Sequence, residues 1–284
     1  MAAINNSFYK GKVISALSTK GGVGKSTDCL HIGYQLKKKY NLSFQYLDAD
    51  AQESGTNHFI CRASLLSDCK GETDSPRVRP IPDDVKRLVK RLFKDSEPYV
   101  MPNIIKKSDF ANYLKESKGF YDGFIIDTQG SDSTTSRNAV TRSDIVIIPV
   151  NPSGLVINEL HKALGVIMTA RSFNPNIRTF IVFNRVVKSA TKMMREHIET
   201  VNEILSQYLF HLHNGATSDA EQIYVCETVI TERQDVYNNV DVGLNAFELS
   251  KGKTCDAEIQ LTRSLMKSNT NTILTAKYRR WRDE

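Results

Sequence analysis

The sequence predicts an α/β protein: a doubly wound, mostly parallel sheet with helices on both faces. Three observations predict it. Short continuous apolar runs, rich in Val, Ile and Phe, alternate with stretches of helical periodicity, the pattern of strands buried on both sides. A Gly-rich turn joins the first run to the first helical stretch, and polar residues close nearly every later run. Ligands of such sheets bind beyond the carboxyl ends of the strands, so these polar residues point at one crevice.

The first strand is expected at Val13–Leu17 and the first helix at Lys25–Tyr40. A second run, Phe44–Leu47, ends in Asp48-Ala49-Asp50, and a third, Phe124–Ile126, ends in Asp127. A fourth, Ile145–Val150, ends in Asn151-Pro152. A fifth, Phe180–Phe183, ends in Asn184-Arg185, and a sixth is expected near Ile223–Cys226. Helical patterns occupy Leu155–Arg171, about Met193–Leu212 and about Asp256–Met266. The stretch from about 61 to 120 differs: it is charged and holds Pro76, Pro80, Pro82, Pro98 and Pro102. It reads as an insertion in a single domain spanning 1–284, which closes in a basic tail from about 270 to 284. Inside it, Val85, Leu88, Val89, Leu92 and Phe93 fall at helical spacing, predicting an amphipathic helix over Asp83–Lys94. Its other face carries Lys86, Arg87, Lys90, Arg91 and Lys94.

Composition narrows the class. The 284 residues are 40% hydrophobic and 25% charged, enough for a sizeable core and against wholesale disorder. No apolar stretch approaches the roughly 20 residues of a membrane span, and the first residues carry no secretory apolar region. Five cysteines at irregular spacing fit neither a zinc ribbon nor a disulfide scaffold, so a reducing, cytoplasmic setting is expected. The net charge of +6 permits a polyanionic partner without demanding one.

The strongest signal is Lys20-Gly21-Gly22-Val23-Gly24-Lys25-Ser26-Thr27. Glycines let backbone N–H groups turn inward around phosphate oxygens. Lys25 neutralises β/γ charge, Ser26 offers a hydroxyl to Mg²⁺, and the helix N-terminus adds its dipole. This is a P-loop of deviant Walker A form. The glycine usual six residues before the Lys is Thr19, and a second lysine follows it at Lys20.

With these residues the chain resembles the ParA/MinD family of ATPases, over about Lys12 to Glu248, and ParA-type partition ATPases most closely. The resemblance implies Mg²⁺-dependent ATP hydrolysis in a homodimer that sandwiches two nucleotides, with Lys20 reaching the phosphates bound by the partner subunit. The family's D-x-D-P-Q motif is matched by Asp48-Ala49-Asp50-Ala51-Gln52, with Ala51 in place of Pro. It assigns Asp50 to the attacking water and Asp48 to the neighbourhood of the metal and phosphates. Asp127 matches the Walker B carboxylate that holds Mg²⁺. The chain then departs from the family, with Thr128-Gln129-Gly130 where a Pro-Pro is common. The spacing of Asp127 to Gly130 is similar to the second switch of P-loop GTPases, where the Gly amide senses the γ-phosphate. Asn184 matches a residue at the adenine, and Arg233 lies in a late segment near the base. A GTPase would carry Asn-Lys-x-Asp where this chain has Asn184-Arg185-Val186-Val187, so ATP is favoured.

The catalytic set is therefore expected to be Lys20, Lys25 and Asp50. The nucleotide set is Gly21, Gly22, Val23, Gly24, Lys25, Ser26, Thr27, Asp48, Gly130, Asn184 and Arg233, with Ser26 and Asp127 at the metal. The implied function is ATP-driven dimerisation, binding of non-specific DNA, and DNA partition, as in plasmid segregation, with slow hydrolysis stimulated by a ParB-like centromere-binding protein. Such a protein is cytoplasmic and associates with the nucleoid when ATP-bound. Candidate DNA contacts are Lys188, Lys192, Arg195, Lys251, Lys253, Arg263, Lys267 and the tail Lys277-Tyr278-Arg279-Arg280-Trp281-Arg282. No helix-turn-helix is expected before Lys20, hence no operator binding. Alternatives are a MinD-like membrane-positioning ATPase and a ParA-like ATPase serving conjugative transfer. A cluster-bearing electron carrier is disfavoured, because no cysteine closely follows Asp127.

Overall fold

Six strands form one parallel sheet in the order β2-β3-β1-β4-β5-β6. The computed structural model describes residues 8–50, 52–70, 83–92, 110–187, 191–213, 223–232, 243–245 and 248. The elements run β1 (Lys12–Ala16), α1 (Lys25–Tyr40), β2 (Phe44–Ala49), α2 (Ser54–Lys70), α3 (Asp83–Leu92), α4 (Phe110–Glu116) and β3 (Gly123–Thr128). They continue with α5 (Thr134–Thr141), β4 (Ile145–Val150), α6 (Gly154–Arg171), β5 (Arg178–Val186), α7 (Thr191–His213) and β6 (Ile223–Thr231). The predicted helix at Asp256–Met266, the basic tail, Arg233, Lys188, Lys251, Lys253, Arg263 and Lys267 lie outside the described residues.

The alternation of side chains along each strand splits the core into two layers. Ile14, Ala16, Phe44, Tyr46, Ile125, Ile145 and Ile147 face α1, with Phe59 of α2 packed beside them. Val146, Ile148, Val150, Ile181 and Phe183 face α6 and α7 on the other side. A third cluster joins Val13, Leu47, Phe124 and Ile126 to Ala139, with Tyr113 and Leu114 of α4 against it. Both faces are therefore covered, and the strands read as continuous apolar runs for that reason.

All six predicted strands exist; β5 and β6 run longer than their apolar cores. The sequence reading missed α2, α4 and α5. The residues of α5, TTSRNAVT, carry little apolar signal. Its start is fixed instead by Ser133, whose hydroxyl accepts the Ser136 N–H at 3.1 Å. The expected amphipathic helix is present as α3. Val85 and Val89 are buried against Leu65 of α2 and Leu244, and Arg87, Lys90 and Arg91 are exposed.

One buried ion pair ties the late segment to α2. Arg62 donates from Nη2 to Glu248 Oε1 at 2.6 Å and from Nη1 to Glu248 Oε2 at 2.8 Å, and also to the Gly243 carbonyl at 2.9 Å. Both side chains are almost fully buried. Gly243 has φ +88, and a Cβ there would run into the backbone of Arg62.

His31 of α1 is buried, and burial pulls its imidazole down to about 3, with the charge of His58 acting in the same direction. The unfolded chain takes up this proton near pH 6.5, whereas the folded chain resists it until about pH 3. Stability is thus fully present above pH 6.5 and declines as pH falls, by up to about 1.4 kcal/mol per pH unit from this group. The Asp127 carboxyl, raised to about 7 by burial, pulls the other way over the same range, so the difference between the native chain and His31→Gln isolates this share. In thermal melting between pH 7.5 and 5 the variant should gain stability relative to the native chain as pH falls. A difference that does not change with pH would remove His31 from the account.

Candidate functional site

The crevice lies where the chain leaves β1. The Leu17 N–H donates to the Ile147 carbonyl at 2.8 Å, holding the strand exit against β4. The Ser18 hydroxyl then fixes the next turn from both sides. It accepts the Lys20 N–H at 3.1 Å and donates to the Lys20 carbonyl at 2.9 Å. The Thr19 hydroxyl reaches Glu159 Oε2 of α6 at 3.3 Å. Past this anchor the loop opens, and Lys20, Gly21 and Gly22 are exposed. Gly22 (φ +75) and Gly24 (φ +101) take left-handed backbone that a side chain would resist. Gly24 is the N-cap of α1 and carries no capping side chain, which leaves the first-turn amides open to an anion. Val23 points down into the core, and Lys25 is buried.

The end of β5 braces the loop from beneath. Asn184 donates from Nδ2 to the Val23 carbonyl at 3.1 Å and to the Asp28 carboxylate at 3.0 Å, and its Oδ1 accepts the Arg185 N–H at 2.8 Å. A Cβ on Gly24 would collide with this amide. Arg185, at φ +56, donates from Nη1 to the Gly22 carbonyl at 2.9 Å. In this structure the Asn184 amide is thus turned into the loop rather than outward. Neither Asp28 nor the Arg185 clamp was singled out from the sequence. Asp28 is one acid in a helix's first turn, and its partner sits 156 residues away.

The second wall comes from β2 and β3, which put Asp48 and Asp127 in register as neighbours. Asp127 is fully buried. Its Oδ2 accepts the Tyr46 hydroxyl at 2.8 Å, and its Oδ1 has no hydrogen-bond partner. Desolvation raises its carboxyl to about 7, against the opposing pull of the Ser26 and Tyr46 hydroxyls and of Lys25, while Asp48 adds to the rise. A shift of that size disfavours the ionised form by roughly 4 kcal/mol. A cation at the open oxygen would reverse that penalty. Asp48 is engaged within the chain: Oδ1 accepts the Asp50 N–H at 3.0 Å, and Oδ2 accepts the Thr56 N–H at 2.8 Å and hydroxyl at 2.7 Å. It shapes the turn that carries Asp50 and starts α2. Asp50 is half-exposed, and its Oδ1 accepts the Gln52 N–H at 2.9 Å.

Gly130 closes the crevice. A Cβ on it would sit 2.9 Å from Gly21 Cα, 3.0 Å from Gly21 N and 3.1 Å from Lys25 Nζ. The fold therefore brings Lys25, Gly21, Gly130, Ser26 and Asp127 together, with Asp48 and Asp50 on the adjoining turn. The buried, half-unpaired carboxylate of Asp127 beside the Ser26 hydroxyl is a donor set that suits Mg²⁺, which takes oxygen ligands and binds through few carboxylates plus phosphate. The open glycine loop with its buried lysine suits a polyphosphate.

The family model for ATPase MipZ matches residues 12–200, more than half of the chain. The chain belongs to the MipZ family of ATPases. With it, the chain falls in the ParA/MinD group. The sporulation initiation inhibitor protein Soj of Bacillus subtilis is 26% identical over 206 residues, covering 68% of this chain and 79% of Soj. Among solved structures, the MinC:MinD cell division complex of Aquifex aeolicus is similar with a TM-score of 0.59 at 19% identity, covering 92% and 97% of the two chains. A plasmid partition protein of Borrelia burgdorferi bound to AMPPNP has a TM-score of 0.50 at 21% identity, covering 90% and 98%. At these identities the solved structures establish the fold of this MipZ-family ATPase alone.

The close approach of Gly130 yields a sharp expectation. Gly130→Ala should push on Gly21 and the lysine amine and weaken ADP and ATP affinity at least about tenfold, the order set by losing one charge-assisted contact. Its melting temperature should change little, because the site is half-exposed. Titration with a fluorescent nucleotide checks this, and unchanged affinity would show that the loop tolerates the methyl.

Proposed function

We propose that this protein is a ParA-type ATPase that dimerises on ATP, binds DNA without sequence preference and positions or partitions it, with hydrolysis stimulated by a ParB-like centromere-binding partner. The observation that carries the reading is the placement of the two lysines at opposite ends of a braced loop. Lys25 is buried beside Gly130, where it serves the nucleotide of its own subunit. Lys20 is exposed, yet its backbone is held on both sides by Ser18. Its exposed side chain, on a fixed backbone, is in position to reach a second copy's nucleotide. ATP then favours the dimer, because the contact through Lys20 exists only there.

In this reading the loop amides and Lys25 bind the β- and γ-phosphates, and Ser26 and Asp127 hold Mg²⁺. When bound, Mg²⁺ neutralises charge that develops on the phosphates. Asp50 orients the attacking water and accepts its proton, and the turn built by Asp48 fixes where Asp50 stands. Gly130 follows the γ-phosphate through its proximity to Gly21 and Lys25. Stabilisation of the transferring phosphoryl group by preplaced cations supplies most of the rate. Asn184 and Arg185 keep the loop in shape, and a base contact by Asn184 would require its amide to leave Asp28.

A DNA surface needs exposed cations. Among the described residues, α3 offers Arg87, Lys90 and Arg91 in the open and Lys86 half-exposed beside Asp83. Its apolar face is already committed to Leu65 and Leu244. An amphipathic helix that anchors to a membrane must bury that face in lipid, so α3 fits a polyanion better than a bilayer. No helix among the described residues is long and apolar enough to cross a membrane.

Two experiments test the proposal. Light scattering with a non-hydrolysable ATP analogue should show dimers of the native chain. Lys20→Ala should keep nucleotide affinity within about twofold while losing the dimer, because the lysine acts across the interface; dimers persisting in that variant would refute the contact. Binding to random-sequence DNA and to anionic vesicles should be compared with ATP, ADP and no nucleotide at several salt concentrations. Binding to DNA that depends on ATP and weakens with salt is expected, whereas vesicle binding without DNA binding would replace this reading with the MinD-like one.

A further inference from the structure

We infer that Tyr46 is a positioning residue for the metal site: its hydroxyl fixes one oxygen of Asp127 so that the other is presented to Mg²⁺. The inference rests on the reading that Asp127 holds the metal. Tyr46 lies inside β2, fully buried in the layer that faces α1. Its neighbours in that layer are apolar, and Phe44 occupies the equivalent position one pleat earlier. Phenylalanine would fill the same volume. The hydroxyl adds one polar group to a dry core, at a cost unless it is bonded. Its bond is to Asp127 Oδ2, at 2.8 Å.

That bond divides the carboxylate. Oδ2 is held from below, and Oδ1 has no hydrogen-bond partner; the Ser26 hydroxyl also draws on the carboxyl without closing a bond to Oδ1. A carboxylate with both oxygens unbonded could rotate about its terminal torsion, which is broad. One held at Oδ2 has a set plane and a set direction for its remaining lone pairs. Outer contacts of this kind commonly change metal affinity 10–100-fold when removed.

The ring is itself held. It meets Phe59 edge-on at 5.3 Å between centroids. It also packs against Gly55, where a Cβ would lie 2.5 Å from Cε1 and 2.6 Å from the hydroxyl oxygen. Gly55 and Phe59 belong to α2, whose first turn is capped by Asp48 through Thr56. Tyr46 therefore touches both the carboxylate on β3 and the start of the helix that follows Asp50.

Tyr46→Phe in the full chain tests the inference, because it removes the hydroxyl and keeps the ring. The readout is the Mg²⁺ concentration that half-maximally tightens binding of a fluorescent ADP analogue, beside the same affinity in EDTA. The midpoint is expected to rise about tenfold, with affinity in EDTA unchanged and the melting temperature lowered by a few degrees for the lost buried hydrogen bond. An unmoved midpoint overturns the inference, as does an equal loss in EDTA, which would assign the hydroxyl to loop stability. Asp127→Asn separates the two levels. If it leaves the midpoint unmoved, the reading of Asp127 as the metal residue fails. If it moves the midpoint and Tyr46→Phe does not, only the role of Tyr46 fails.

Discussion

The contact between Gly24 and Asn184 is the constraint on which the site depends. The chain must leave a buried strand, wrap a space for phosphate and enter a helix within eight residues, from Leu17 to Gly24. Gly24 makes the last turn with left-handed backbone and lies so close over Asn184 that no side chain could fit. The amide beneath it then bonds the Val23 carbonyl and the Asp28 carboxylate, linking loop, helix and β5 in one buried network. Such a network holds shape only when each member is satisfied. Here the amide spends its donors on the network and its acceptor on the Arg185 N–H.

With the loop fixed, the rest of the crevice follows from register. β1 lies between β3 and β4, so the loops after these strands meet at one edge. The pairing of Asp48 with Asp127 puts two acids side by side, and their roles diverge through their partners. Asp48 is saturated by N–H and O–H groups of its own turn, whereas Asp127 keeps one oxygen open in a dry setting. The same residue type thus does structural work on one strand and is left ready for a cation on the next.

Much of this was legible in the sequence, and the limits have physical reasons. Strands buried on both faces announce themselves as apolar runs, and a glycine loop flanked by lysines constrains its own chemistry. The Gly130 spacing suggested a place at the γ-phosphate, and its packing on Gly21 and Lys25 became visible only in the fold. What stayed hidden were contacts between residues far apart in the chain: Tyr46 with Asp127, Asn184 with Asp28, Arg185 with Gly22. A tyrosine inside a strand looks like any other aromatic core residue until its hydroxyl is seen to end on a carboxylate. Helix α5 was missed because its start is set by one serine hydroxyl and its sequence is mostly polar.

The bond between Arg62 and Glu248 has a consequence for what holds the wall beside Asp50. The two residues are 186 positions apart, and the guanidinium is almost wholly out of water. A buried charge deprived of its carboxylate is strongly destabilising. Arg62 is accompanied out of water by a carboxylate 186 positions later, so the packing of α2 depends on the late segment. The wall beside Asp50 is therefore held from two distant parts of the chain at once.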